Sequence, residues 1–319
     1  MAEPQFERLA LIGVGLIGSS IARAARAQNA VRSIVATARS AATRRRVIEL
    51  GIADQVVDTN AAAATGADLV IVSSPVGQCG AVAREIAGQL KPGAVVSDVG
   101  SVKADVIRDM APHLPENVHF VPAHPVAGTE HSGPDAGFAE LFNGRWCILT
   151  PPPATDKAAV DRLSSFWQGL GAKVAVMSAE HPDLVLAITS HVPHLIAYTI
   201  VGTADELSAV TRSEVLQYSA GGFRDFTRIA ASDPTMWRDI FLANKAAVMV
   251  MLGRFNTDLS RLTRAIEDGD GAALFDLFTR TRAIRRGIVD IGQDSATPDF
   301  GRPHSELPPV PRPYVSESS

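Results

Sequence analysis

Leu9-Ala-Leu-Ile12-Gly13-Val14-Gly15-Leu16-Ile17-Gly18 is the stretch from which the rest of the chain can be read. An apolar, strand-like run ends at Ile12, three glycines follow with G-x-G-x-x-G spacing, and an Ala-rich helical pattern opens near Ile17. A glycine-rich turn alone is a weak signal. Between a strand and a helix it is the fingerprint of a dinucleotide-binding βα unit. Gly13 permits the tight turn, Gly15 lets a pyrophosphate approach the backbone, and Gly18 allows close helix–strand packing. The helix N-terminus adds free N–H groups and a positive dipole end. Candidate cofactor contacts are therefore Gly13, Gly15, Leu16, Ile17 and Gly18, with Ser74 and Pro75 after the apolar run 69–73. A purely structural turn in another α/β fold is the plain alternative.

Working outward, strand-like runs at 9–12, 33–37, 69–73, 94–99 and 118–122 alternate with helical stretches at 17–28, 43–50 and 81–90. Strands separated by helices of this length mean βαβ units and a parallel sheet. Two further runs, 145–150 and 173–177, flank a proline break at 151–153 and a helix, and are expected to extend that sheet. Residues 1–178 thus read as an α/β Rossmann domain, doubly wound with a mainly parallel sheet. From His181 onward no strand is evident, and 179–293 read as an all-α domain. Phe241, Val248, Leu252, Phe255, Leu259, Leu262 and Ile266 form a stripe at spacings of seven, four and three, which suits a long helix packed along another. That partner is either in the same chain or in a second copy. Leu274, Phe275 and Phe278 mark a final helix. Residues 294–319 hold six of the 20 prolines and read as an extended or disordered tail.

Composition narrows the function classes. The chain has 319 residues, a formal net charge of −4 and 46% hydrophobic residues. That is enough apolar material for a real core in two domains. A slightly acidic chain lacks the electrostatic footprint of a nucleic-acid binder. No uninterrupted apolar run reaches about 18 residues, so no membrane span is expected. The first residues lack the basic and apolar blocks of a signal peptide, which points to a cytoplasmic protein. Cys79 and Cys147 are too few for a disulfide framework or a structural zinc site.

The end of the second strand bears on the choice of dinucleotide. An Asp or Glu there would grip the 2′-hydroxyl of NAD. This chain has Thr37-Ala38-Arg39-Ser40 instead. Arg39 can pair with a 2′-phosphate while Thr37 or Ser40 donates, and Arg44, Arg45 and Arg46 lie close in sequence. The reading leans to NADP over NAD. For at least two of the three later arginines a solvated helix face is the simpler role.

Candidate reacting groups fall at strand C-terminal ends, where open parallel sheets bind ligands. Asp98-Val-Gly-Ser101-Val-Lys103 follows one strand, and Ala123-His124-Pro-Val-Ala-Gly-Thr-Glu130 follows the next. His124 reads as lying in a Gly/Ser-rich loop, and a neutral imidazole with its ordinary pKa of about 6.5 is a base near pH 7. In the helical half, Asp183, His191 and His194 share one helix. Asp183 and His194 are eleven residues apart and face the same way, and Pro193 is expected to kink the helix. The His-x-x-His pair invites a metal, but no third ligand follows and none is expected. Gly221-Gly-Phe-Arg224-Asp225-Phe-Thr-Arg228, running on to Trp237, gathers polar and aromatic residues around a glycine pair. Arg228 is the candidate carboxylate clamp.

Taken together, Gly13 to Ser20, the Gly-Ser-Val-Lys103 turn, His124 to Glu130, Ser190-His-Val-Pro-His194 and Gly222 to Trp237 resemble the prephenate/arogenate (cyclohexadienyl) dehydrogenase family of tyrosine biosynthesis, in order over about residues 8–290. The resemblance implies a Rossmann domain followed by a helical domain that forms a homodimer, which tips the apolar stripe toward an interface. It implies oxidative decarboxylation of prephenate or arogenate with hydride transfer to NAD or NADP. By similarity, His124 accepts the 4-hydroxyl proton, and Ser101 bonds the same hydroxyl and orients His124. Arg228 holds a substrate carboxylate, and His194 and His191 line the side-chain end. Glu130, Asp225 and Trp237 shape the entrance, and Asp183 orients a neighbouring cation. Many members carry an acid where Ala38 stands, so cofactor choice stays open. Two other readings compete. One is a 3-hydroxyacid dehydrogenase or imine reductase, families that rely on a Lys or lack the His124-Pro loop. The other is a dinucleotide sensor that binds without turnover.

Overall fold

The computed structural model describes residues 4–206 and 221–290, so the expected tail at 294–319 lies outside the described residues. Six strands form the first sheet: β1 (Phe6–Ile12), β2 (Val31–Thr37), β3 (Gln55–Val56), β4 (Leu69–Val72), β5 (Val95–Asp98) and β6 (His119–Phe120). Their order is β3-β2-β1-β4-β5-β6 and every pairing is parallel. That is the doubly wound order whose direction reverses between β1 and β4, where such folds open a ligand crevice. The glycine turn after β1 and the Ser73–Pro75 turn after β4 both sit at this point.

β1 shows why the strands read as continuous apolar runs. Leu9 and Leu11 face one core with Ile21 of α1 (Leu16–Ala27) and with Phe166 and Trp167 of α6 (Lys157–Gly169). Ala10 and Ile12 face the other, with Ala83 and Ile86 of α4 (Cys79–Ile86) and Val106 of α5 (Ala104–Met110). A central parallel strand is covered on both faces, so alternation disappears. Each fully buried aliphatic side chain contributes roughly 1.5–3 kcal/mol. The helices α2 (Ala41–Glu49) and α3 (Asn60–Ala64) are capped by Ser40 and Thr59, whose hydroxyls accept amide hydrogens from Thr43 and Ala62.

The runs near 146 and 173 do not extend this sheet, contrary to expectation. They form a second sheet in which β7 (Ala123–Pro125) pairs antiparallel with β8 (Trp146–Leu149), and β8 pairs parallel with β9 (Lys173–Val176). The break comes at Pro122. Proline has no N–H to continue the ladder with β5, and the next amide, Ala123, donates to the Asp98 carboxylate at 3.3 Å. The strand leaves β5 there and pairs with β8. His124 is therefore a strand residue of β7, not part of a loop.

The helical region begins with α7 (Glu180–Leu186), a π-turn (Ala187–His191) and α8 (Val192–Glu206) in one run. Pro193 was expected to kink this helix. Just before it the helix takes a π-turn, whose i→i+5 bonding widens the backbone where the proline ring would crowd the carbonyl four residues earlier. Extra backbone in that turn also changes the facing of Asp183 relative to His194. Among the described residues this run, from His181 to Glu206, is long and apolar enough to cross a membrane by length and composition. It nevertheless puts Asp183, His191, Ala187 and Val192 in the protein interior.

Next come α9 (Gly221–Thr227), α10 (Pro234–Ala243), α11 (Lys245–Glu267) and α12 (Gly271–Asp290). Trp237 and Ile240 of α10 join the second Rossmann core, and the first compact unit runs to Thr257. The second unit starts at Asp258. Along the expected stripe Val248 is buried, whereas Leu259 and Ile266 are exposed, as are Phe275 and Phe278 on α12.

Candidate active site

The cofactor turn is built from constraints that distinguish its three glycines. Gly13 has φ +91°, and a Cβ there would sit 2.8 Å from the Ser73 carbonyl oxygen. At Gly18 a Cβ would meet the Gly13 carbonyl oxygen at 2.4 Å, so only glycine lets α1 approach its strand. Gly15 is different: its φ of −92° suits any residue and a Cβ would touch no protein atom. No described residue demands glycine there, whereas a phosphate approaching the backbone would. Gly15 also N-caps α1 with no side chain, leaving the amides of Leu16, Ile17 and Gly18 without intrahelical partners. Ser73, Ser74 and Pro75 form the facing turn, and the Ser73 hydroxyl is buried without a partner among the described residues. These residues fit a dinucleotide pyrophosphate.

At the adenosine end, Ala38 is buried where an acid would grip a ribose. Ser40 is occupied as the α2 cap and shares a hydrogen with Thr43 Oγ1 at 2.7 Å. Thr37 is buried. Two of the neighbouring arginines serve the fold. Arg44 donates to the Ala38 carbonyl at 2.7 Å and pairs with Asp58 at 3.0 Å, and Arg46 pairs with Asp135 and Glu49. Arg39 is exposed and has no ion-pair partner among the described residues.

Behind His124 lies an arrangement that residue-type reasoning passed over. Lys103 is fully buried, and its Nζ donates to Asp98 Oδ2 at 2.5 Å and to the Ala123 carbonyl at 2.6 Å. Asp98, also fully buried, accepts the Gly100 amide at 2.8 Å as well as that of Ala123. Burial pushes the Asp98 carboxyl up, against the pull of the Lys103 ammonium and the two amides. One ion pair thus holds both backbone groups of the residue before His124 and the turn that carries Ser101. The signal available in the sequence was a lysine five residues after an aspartate that ends an apolar strand run, where a buried ammonium would need that partner.

His124 is held neutral: burial first, then the nearby Lys103 and His191 charges, bring its pKa down to about 3. Its Nδ1 is buried without a partner among the described residues, and so is Ser101 Oγ. The orienting bond from Ser101 to His124 is therefore not formed in this structure. Asp183 feels the Lys103 ammonium, which favours its charged form, and it also binds backbone directly. Its carboxylate accepts the backbone amides of Lys103 at 2.7 Å and Ala104 at 2.9 Å, fastening α7 to the start of α5. Burial raises its pKa, with those amides opposing.

The helical side brings three aromatic groups together. The His194 ring stacks on Trp237 with centroids 3.6 Å apart, and its Nδ1 lies 2.8 Å from the Ser190 carbonyl. His191 meets Trp237 edge-on at 6.0 Å and is fully buried; burial, then the His194 charge, lowers its pKa to about 4. Trp237 was expected at the entrance, but it is 5% exposed and belongs to the core wall, because α10 packs onto the sheet. Arg228 donates to Glu130 at 2.5 Å, joining the loop after β7 to the turn after α9. Burial disfavours the Glu130 charge, yet its own backbone amide and Arg228 outweigh that and its pKa falls. Asp225 is exposed on α9. Neutral imidazoles, a paired guanidinium and unspent buried polar atoms suit proton removal from an anionic substrate beside a dinucleotide. No group of metal-binding side chains occurs among the described residues.

Comparison with known proteins agrees with this arrangement. Residues 21–176 match the family model for the prephenate dehydrogenase nucleotide-binding domain, and residues 178–280 match the prephenate dehydrogenase dimerization domain. A cyclohexadienyl dehydrogenase from Zymomonas mobilis is 42% identical over 283 residues, covering 89% of this chain and 96% of the relative. A Bacillus subtilis prephenate dehydrogenase is 33% identical over 306 residues, covering 96% and 82%. The crystal structure of the Aquifex aeolicus prephenate dehydrogenase in complex with hydroxyphenyl propionate and NAD+ superposes with a TM-score of 0.82 at 34% identity, covering 88% of this chain and 98% of that one. The chain belongs to the prephenate dehydrogenase family of NAD(P)-dependent oxidoreductases.

Proposed function

We propose that this protein oxidatively decarboxylates prephenate or arogenate, giving 4-hydroxyphenylpyruvate or tyrosine, and acts as a homodimer. The observation that carries the reading is His124. It is a neutral imidazole with an unspent nitrogen, following a backbone carbonyl held by the Lys103–Asp98 pair, in a chain whose glycine turn fits a pyrophosphate. The bound nicotinamide supplies the hydride acceptor. His124 takes the proton of the ring hydroxyl, while Ser101 Oγ bonds the same oxygen. As the carbon bearing that hydroxyl loses its hydride, the bond to the ring carboxylate breaks. Its electron pair enters the ring and reaches the former hydroxyl oxygen, which takes its proton back from His124; CO₂ departs and the ring becomes an aromatic phenol.

A base with a pKa of about 3 in the resting protein is weak. Two substrate carboxylates brought close to it favour the imidazolium and raise that pKa toward working pH. Arg228 binds one of those carboxylates by exchanging it for Glu130. His191 and His194 line the side-chain end of the substrate, Asp225 lies at the entrance, and Trp237 backs the two imidazoles. Arg39 supports a preference for NADP, since it is exposed just past the end of β2 and has no ion-pair partner among the described residues. The exposed Leu259, Ile266, Phe275 and Phe278 support pairing of two copies through the helical region.

The experiment is a two-by-two assay of prephenate or arogenate with NAD or NADP, followed by the absorbance of the reduced nicotinamide. Turnover in any cell of the design is the expected result. Cofactor binding with no turnover in all four overturns the proposal and favours a dinucleotide sensor. Faster turnover with NAD overturns the Arg39 argument alone.

A further inference from the structure

Asn244, at the C-terminal end of α10, is 5% exposed and was not singled out by any sequence motif. Its Nδ2 donates to the Asp183 backbone carbonyl at 2.8 Å and lies 3.1 Å from His191 Nδ1. The first contact fixes the orientation of the amide, because a carbonyl oxygen can only accept and the opposite flip would set two oxygens against each other. The second hydrogen on Nδ2 then points to His191, and His191 Nδ1 must accept it. A neutral imidazole that accepts at Nδ1 carries its proton at Nε2. That Nε2 is buried and has no partner among the described residues. A buried N–H left unpaired costs about 1–3 kcal/mol, so such a group calls for an explanation.

We infer that Asn244 is a positioning residue that holds His191 in its Nε2–H tautomer, presenting a fixed hydrogen-bond donor to an oxygen of the substrate. This rests on the function proposed above and assigns the chemistry of one contact within it. The group His191 recognises is an acceptor, a carboxylate or keto oxygen, and not a cation or a donor. The arrangement also ties the donor to the reacting base. Asp183, whose carbonyl orients Asn244, uses its carboxylate to hold the amides of Lys103 and Ala104, and Lys103 in turn holds the carbonyl before His124.

The test is ¹⁵N–¹H correlation NMR of the full chain with histidine rings labelled in ¹⁵N, the His191 signals being assigned by their loss in His191→Gln. The wild-type protein is expected to show the Nε2–H tautomer. Asn244→Leu is expected to shift His191 toward Nδ1–H and to lower kcat/KM for prephenate roughly tenfold, the effect of one lost hydrogen bond, with dinucleotide affinity unchanged. Adding Asn244→Leu to His191→Gln should cost nothing further. An Nδ1–H or charged His191 in the wild type overturns the inference, and needs no variant to fold. Additive losses in the double variant, or an unchanged tautomer in Asn244→Leu, overturn it too. Absence of turnover by the wild type refutes the proposed function instead and leaves the tautomer result standing.

Discussion

Replacing Lys103 by Met tests whether the buried ion pair positions the base or merely fills space. Methionine matches the lysine stem in length but removes the two bonds of Nζ, to Asp98 at 2.5 Å and to the Ala123 carbonyl at 2.6 Å. Asp98 would keep its two amide donors but lose its counter-charge at zero solvent exposure. Removing one partner of a buried pair costs about 3–5 kcal/mol. With roughly 2–4 °C of Tm per kcal/mol for a protein of this size class, the melting temperature should fall by about 6–20 °C. The variant Asp98→Asn with Lys103→Met removes both charges and should recover much of that loss.

Catalysis separates the two roles. With the ammonium gone, one cause of the low His124 pKa is removed, so the acid limb of the kcat/KM profile should move to higher pH in the double variant. The assay is thermal unfolding by circular dichroism, followed by kcat/KM for the substrate across pH. A melting temperature for Lys103→Met within a degree or two of wild type would show that the pair is not a buried, uncompensated one. A stable double variant with wild-type kcat and an unmoved acid limb would refute the positioning argument.

Other consequences can be measured separately. His124→Asn should lower kcat by roughly 10²–10⁴ with little change in dinucleotide affinity, as loss of a general base does; an unchanged kcat removes His124 from the chemistry. Arg228→Gln should raise substrate KM by roughly 10- to 150-fold, the worth of a charge-assisted bond, with a smaller effect on kcat. A KM that stays put in steady-state assays would mean the carboxylate is held elsewhere. Acid should destabilise the fold through His191. Its folded pKa of about 4 lies below the ordinary value of about 6.5, so the unfolded chain binds the extra proton. Stability is then fully present above about pH 6.5 and is lost as pH falls toward 4, by about 3 kcal/mol for this group. Comparing unfolding of wild type and His191→Gln between pH 7 and 4 should show a shallower loss in the variant; parallel curves would contradict the assignment.

The glycine turn and the alternating strands and helices were legible because each depends on local chemistry, and His124, Ser101 and Arg228 were singled out as candidates by motif resemblance. A phosphate-binding turn needs glycine at fixed spacing, and a parallel strand needs an apolar run, whatever the rest of the chain does. The departures came where distant segments meet. Whether the run at 146–149 joins the first sheet depends on Pro122 ending one ladder and Asp98 taking the next amide, residues far apart in sequence. Trp237 becomes core and not rim because α10 docks on the sheet. Asp183 caps the start of α5 eighty residues earlier.

Electrostatics follow the same division. Residue types alone identify a histidine, a lysine and two carboxylates as able to carry charge and protons. Only the packed structure decides that Lys103 and Asp98 are paired without water, that His124 and His191 are neutral, and that Asn244 chooses which nitrogen of His191 holds the hydrogen. Those properties depend on burial and on hydrogen-bond partners brought together by folding, because desolvation and neighbouring charges set the energy of an ionisable group. Pattern and spacing along the chain carry the fold class and name the candidate reacting residues, and three-dimensional proximity carries their protonation and orientation.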